Sequence, residues 1–218
     1  MPYVKICGIT RPGDAALAIS AGADAIGLNF IPTSKRRIDV RTALALVKEA
    51  KETGKDIDVV AVVADLTVPQ IEELRDATGI SWVQLHGDEP PETVRPLMPE
   101  VFKAVRIGDS NDVRRARLYP GSSILVDAKV EGSSGGSGVV FDWRLVKNLA
   151  SERRLILAGG LTPDNVESAI LAVGPWGVDV ASGVESAPGI KDPDKVRAFV
   201  SAARSAAEKR MAQQEAGE

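Results

Sequence analysis

The chain has 218 residues, 44% of them hydrophobic and 26% charged, the composition of a folded globular protein with room for one barrel-sized domain of roughly 200 to 250 residues. A formal net charge of −3, with lysine and arginine scattered along the chain, excludes the basic stripe of a nucleic-acid binder. A single cysteine rules out an internal disulfide, the amino terminus opens on a charged strand rather than a signal sequence, and no apolar run approaches the roughly 18 residues needed to cross a bilayer; a cytoplasmic protein with no membrane partner is expected.

Short apolar, β-branched runs recur along the chain, eight in all: Tyr3–Cys7, Asp24–Phe30, Ile57–Ala64, Trp82–Leu85, Val101–Arg106, Ser123–Asp127, Leu155–Ala158 and Val178–Ala181. Between them lie segments such as Arg41–Lys51, Val68–Thr78, Glu92–Pro99 and Pro163–Val173, whose apolar residues fall three or four apart as in a helix with one buried face. Thr162 before Pro163 and Asp192 before Pro193 each place a capping oxygen ahead of a proline suited to the first helical position. Alternating strands and helices give a parallel sheet, and eight consecutive units favour closure into a single (β/α)8 TIM barrel over an open doubly wound sheet. The barrel is expected over residues 1–205, with 206–218 a polar helix end or tail.

Barrel enzymes build their sites where the strands end, so the residues there carry most weight. Cys7 closes the first run and is followed by Gly8, which sets a thiol at the barrel mouth. By residue type alone a cysteine more often packs inertly; its position favours a function. Next come Ile31–Ile38, which hold the cations Lys35, Arg36 and Arg37. A guanidinium there could clamp a carboxylate bidentately or belong to a solvated charge run, and composition does not choose between Arg36 and Arg37. Gly54-Lys55-Asp56 lies at the opposite end and reads as a connector.

Asp127 ends the sixth run after Ile124-Leu125-Val126, where a carboxylate has no packing value and either faces the mouth or caps the next loop. Opposed across the lumen, Cys7 and Asp127 would supply a base and an acid. The glycine-rich segment Val130–Val140 follows, and Ser133–Gly138 within it is suited to close over the site as a lid. Gly159-Gly160 and Ser182-Gly183 follow the seventh and eighth runs, where exposed backbone N–H groups can surround an oxyanion. The expected partner is a phosphorylated small molecule. Lys5 and Asp179 each lie two residues before a strand end, so both point inward, and neighbouring first and eighth strands should pair them near the phosphate turns.

Lys5-Ile6-Cys7-Gly8-Ile9-Thr10, Val83-Gln84-Leu85-His86-Gly87, Gly135-Gly136-Ser137-Gly138 with Phe141-Asp142-Trp143, Ala158-Gly159-Gly160-Leu161 and Asp179-Val180-Ala181-Ser182-Gly183-Val184-Glu185 together resemble the phosphoribosylanthranilate isomerase family, from Val4 to about Phe199. The resemblance implies an Amadori rearrangement of N-(5-phosphoribosyl)anthranilate in tryptophan biosynthesis, by a monomer or homodimer that needs no cofactor. It implies Asp127 as general acid toward the furanose ring oxygen and Cys7 as the base that removes the C2′ proton. It also implies Arg36 as holder of the anthranilate carboxylate and Gly159, Gly160, Ser182 and Gly183 as phosphate turns; Asp179 joins them as a substrate-binding residue, and no metal site is expected. Two departures bear on loop contacts: Ala128 stands where the family has a small hydroxyl residue, and Val63-Ala64-Asp65 where it often has an aromatic and then an asparagine. Two other readings are another phosphosugar barrel, such as indole-glycerol-phosphate synthase, and a regulatory barrel that binds phosphorylated metabolites without catalysis. The first resembles a longer chain with a lysine acid, and the second needs no opposed acid and thiol.

Overall fold

The computed structural model describes residues 1–128 and 143–215. Eight parallel strands, β1 (Tyr3–Cys7), β2 (Ala25–Asn29), β3 (Asp58–Val63), β4 (Trp82–Leu85), β5 (Val101–Ile107), β6 (Ser123–Ala128), β7 (Arg154–Ala158) and β8 (Gly177–Val180), pair in chain order and close through β1 against β8. Around them run α1 (Pro12–Ser20), α2 (Val40–Glu52), α3 (Val68–Thr78), α4 (Pro91–Val94), α5 (Ser110–Ala116), α6 (Arg144–Glu152), α7 (Val166–Val173) and α8 (Pro193–Glu215). The expected TIM barrel is thus the architecture found.

Strand alternation sorts the side chains into two cores. Outward residues such as Val4, Ile6, Val126 and Val178 pack beneath the helices, where α2 contributes Ala43, Leu46, Val47 and Ala50 from one face. Inward residues form a smaller cluster around Ala25, Val60, Phe102, Leu125 and Ile156. Above this cluster several inward positions turn polar, with Lys5 and Cys7 on β1, Asp127 above Leu125 and Asp179 on β8, while Val62 and Ala158 keep β3 and β7 apolar. The apolar plug therefore forms the floor on which the site stands.

Several boundaries differ from the sequence expectation. The segment Glu92–Pro99 forms only the short α4 and a 3-10 turn over Arg95–Leu97. Thr162 does not cap α7, which begins at Val166; its N–H donates instead to Asn165 Oδ1 at 2.8 Å, and the intervening residues form a turn. Asp192 does cap α8, its Oδ1 accepting from the N–H groups of Asp194 at 3.0 Å and Lys195 at 3.1 Å. Residues 206–215, expected as a polar helix end or tail, are the last turns of α8, which ties back to α7 through Lys209–Glu167 at 2.6 Å. A small hairpin, β9 (Glu185–Ala187) and β10 (Ile190–Lys191), follows β8 and had no counterpart in the strand pattern. The lid expected at Ser133–Gly138 lies outside the described residues. Among the described residues no helix is long and apolar enough to cross a membrane.

Candidate active site

A cleft of about 380 Å³ opens at the carboxyl ends of the strands. Its walls bring together every site residue expected from the sequence: Cys7, Arg36, Asp127, Gly159, Gly160, Asp179, Ser182 and Gly183. It also holds Asn29, Gln84, His86 and Arg106, to which the sequence reading assigned no role.

One wall is built on β1 and β8. Register pairs Lys5 with Asp179, and the expected ion pair forms at 2.9 Å between Lys5 Nζ and Asp179 Oδ1, with the lysine fully buried. Lys5 and Cys7 converge above Gly27: a Cβ there would lie 2.9 Å from Lys5 Nζ and 2.8 Å from Cys7 Sγ, so only glycine leaves room for both. Burial pushes the Cys7 thiol above its ordinary range, while Lys5 and, farther away, Lys191 pull in the opposite direction. Burial likewise opposes charge on Lys5, but Asp179 and Cys7 outweigh it and hold the amine above the usual lysine value.

The facing wall is built on β4, β5 and β6. Asp127 sits in register with Arg106 on β5 and Ala158 on β7. His86, the residue after β4, brings Nε2 to 3.4 Å from Asp127 Oδ2. Gln84 supports the imidazole from below, its Nε2 lying 2.9 Å from His86 Nδ1. With that amide N–H donating, the ring proton sits on Nε2 and faces the carboxylate. His86 could have been found as the only histidine of the chain standing at a strand end. Gln84 carries no such signal, because its neighbour is set by the strand's pairing.

The loops above the strands complete the cleft. Gly159 and Gly160 adopt φ values of 89° and 65°, in the left-handed region that favours glycine, and turn the chain sharply after β7. Ser182 and Gly183 open a 3-10 turn after β8, whose first N–H groups have no acceptor within the turn. In the loop after β2 the structure separates the two arginines. Arg37 is exposed and lies beside Thr10 and Asp39 on the outer surface, whereas Arg36 lines the cleft. Its stem crosses Gly8, where a Cβ would come within 2.5 Å of Arg36 Cδ. Arg36 is not a lone cation: Nε and Nη2 donate to Glu185 at 2.7 and 2.6 Å.

A cleft lined by a thiol on one wall, a carboxylic acid on the facing one, amide-rich turns and a guanidinium can take a phosphorylated, carboxylated molecule and move protons on its two faces. The family model described as N-(5'phosphoribosyl)anthranilate (PRA) isomerase matches residues 4–202. The chain belongs to this isomerase family. An N-(5'-phosphoribosyl)anthranilate isomerase of Myxococcus xanthus is 49% identical over 207 residues, spanning 93% of this chain and 96% of that protein. The crystal structure of phosphoribosyl anthranilate isomerase from Thermotoga maritima superposes with a TM-score of 0.85 at 40% identity, covering 94% of this chain and all of that one. Another solved isomerase, in complex with reduced 1-(o-carboxyphenylamino)-1-deoxyribulose 5-phosphate, matches with a TM-score of 0.82 at 37% identity over 94% of this chain and 100% of that chain. The activity is the Amadori-type isomerisation of phosphoribosylanthranilate in tryptophan biosynthesis.

Proposed function

We propose that Asp127 and Cys7 carry out this isomerisation as general acid and general base; the observation that supports it is their placement on opposite walls of one cleft. Asp127 delivers its proton to the furanose ring oxygen. The C1′–O bond then breaks as the anthranilate nitrogen lone pair forms the C1′ iminium. The Cys7 thiolate takes the C2′ proton, the released electron pair makes the C1′–C2′ double bond, and the iminium nitrogen recovers its lone pair. The resulting enolamine tautomerises to the C2′ ketone. His86 Nε2–H faces the carboxylate that Asp127 becomes, so it stabilises the acid's product rather than its starting state.

Binding divides along the cleft. The amides of Gly159, Gly160, Ser182 and Gly183 hold the phosphate, Arg36 holds the anthranilate carboxylate, and Asp179 on the β8 wall accepts from the sugar. The chain acts in the cytoplasm as a monomer or a homodimer; a structure concerned with a dimeric isomerase from Thermotoga maritima, 36% identical with a TM-score of 0.80, supports the second form. An isomerase assay that follows the loss of anthranilate fluorescence tests the reading. Purified protein should turn over phosphoribosylanthranilate, and Cys7→Ala and Asp127→Asn should each lower kcat by about 10² to 10⁴. Full activity in either variant would remove that residue from the chemistry.

A further inference from the structure

Arg36 is held by more than its own backbone. Glu185, the first residue of β9, is buried and spends both carboxylate oxygens on one edge of the guanidinium, Oε1 accepting from Nε at 2.7 Å and Oε2 from Nη2 at 2.6 Å. Behind it lies Lys191 of β10, whose buried Nζ donates to Glu185 Oε1 at 3.0 Å and to the Ala181 carbonyl at 3.0 Å. The hairpin carrying both residues is fastened to the start of the barrel. Asp14 Oδ2 accepts from the Lys191 backbone N–H at 3.0 Å, and Thr10 Oγ1 donates to the Gly189 carbonyl at 2.6 Å.

This geometry has two consequences. A guanidinium offers five N–H groups, and Glu185 takes the Nε edge, so the remaining pair of Nη groups forms the edge still open for a second carboxylate. The charges also do not cancel. Arg36 and Lys191 contribute two positive charges against the one negative charge of Glu185, leaving a surplus of one in a cluster that lines a cleft. An exposed arginine would need neither a buried carboxylate to orient it nor a buried lysine to balance that carboxylate.

We infer that Glu185 and Lys191 are positioning residues that set the enzyme's preference for a carboxylated aromatic amine: Glu185 aims the open edge of Arg36, and Lys191 offsets the charge of Glu185 so that Arg36 keeps its attraction for the substrate's carboxylate. The inference rests on the proposed role of Arg36. The two residues act separably. Without Glu185 the buried Lys191 loses the anion that opposes its discharge by burial, so a neutral residue there removes orientation more than charge. Without Lys191 the Arg36–Glu185 pair remains but its net charge is zero.

The test compares two probes by calorimetry: the reduced product analogue bearing a 2-carboxyphenylamino group, and the same phosphate compound bearing a plain phenylamino group. Wild-type protein should prefer the carboxylated probe by about ten-fold or more, the usual worth of a charge-assisted bidentate contact. In Glu185→Gln and in Lys191→Met that preference should collapse to within about three-fold, because affinity for the carboxylated probe falls. Affinity for the plain probe should hold, which also shows that each variant is folded. Either variant decides the matter if the other does not fold, since a structural role alone would weaken both probes alike. Retention of the wild-type preference in a variant that binds the plain probe overturns the inference. Absence of any preference in the wild type itself overturns instead the assignment of Arg36.

Discussion

The two walls of the cleft solve opposite problems. Cys7 is 8% exposed and stands among Lys5, Asp179 and, at longer range, Lys191, whereas the Asp127 side chain is 30% exposed and its neighbours are the half-buried His86 and the exposed Arg106. A base that must lift a proton from carbon gains from shelter, because water cannot compete for the thiolate and nearby ammonium groups act at low dielectric. An acid that must be reloaded in every cycle gains from access to solvent. The barrel thus supplies charge to the base from its buried inner wall and leaves the acid beside one imidazole.

The comparison breaks most visibly at the open wall. Asp127→Asn keeps the shape but cannot deliver a proton, so kcat should fall by about 10² to 10⁴ while affinity for the reduced product analogue stays near wild type. Comparable losses of affinity and kcat would mean that Asp127 binds rather than reacts.

At the sheltered wall, Lys5→Met leaves Asp179 buried without its cation and should cost about 3 to 5 kcal/mol in denaturant unfolding. A cost below about 1 kcal/mol would show that solvent reaches the pair and that the wall is not sealed. Smaller again is the effect of His86. His86→Leu should lower kcat by about ten-fold with KM little changed, and His86→Gln, which keeps an N–H donor near the Nε2 position, should recover most of the loss. Equal defects in the two variants would assign His86 to packing.

The smallest effect is a displacement along the pH axis. Alkylation of Cys7 reports on one position, because it is the only cysteine. The thiolate is the reactive form, and burial raises the thiol, so the labelling rate should climb with pH and reach its midpoint above that of free cysteine. The reduced product analogue should slow labelling more than inorganic phosphate does, because it covers the sulfur. A midpoint below that of free cysteine would mean that the lysines outweigh burial and would reverse the account of this wall.

Much of this molecule could be read from its sequence, because the relevant signals are local. The strand-to-helix rhythm gave eight units and hence closure, and residues at strand ends, Cys7, Asp127, Gly159-Gly160 and Ser182-Gly183, belong to one face of any such barrel. Even Lys5–Asp179 followed, since strand parity and the closing neighbour fix which inward residues meet. Helix starts were less legible, as at Thr162, because a turn and a cap use the same residue types. What only the tertiary structure decided were the partners of charged side chains brought from distant loops. Residue type left Arg36 and Arg37 equivalent and the resemblance chose Arg36; its partner Glu185, 149 residues away on a hairpin with no strand pattern of its own, came only from the fold. His86, which Gln84 contacts, meets Asp127 only because β4, β5 and β6 curve around a common lumen. Periodicity reports which face a residue occupies; the choice of partner across that face depends on barrel closure and on which loop folds over it, and neither is encoded in the spacing of nearby residues.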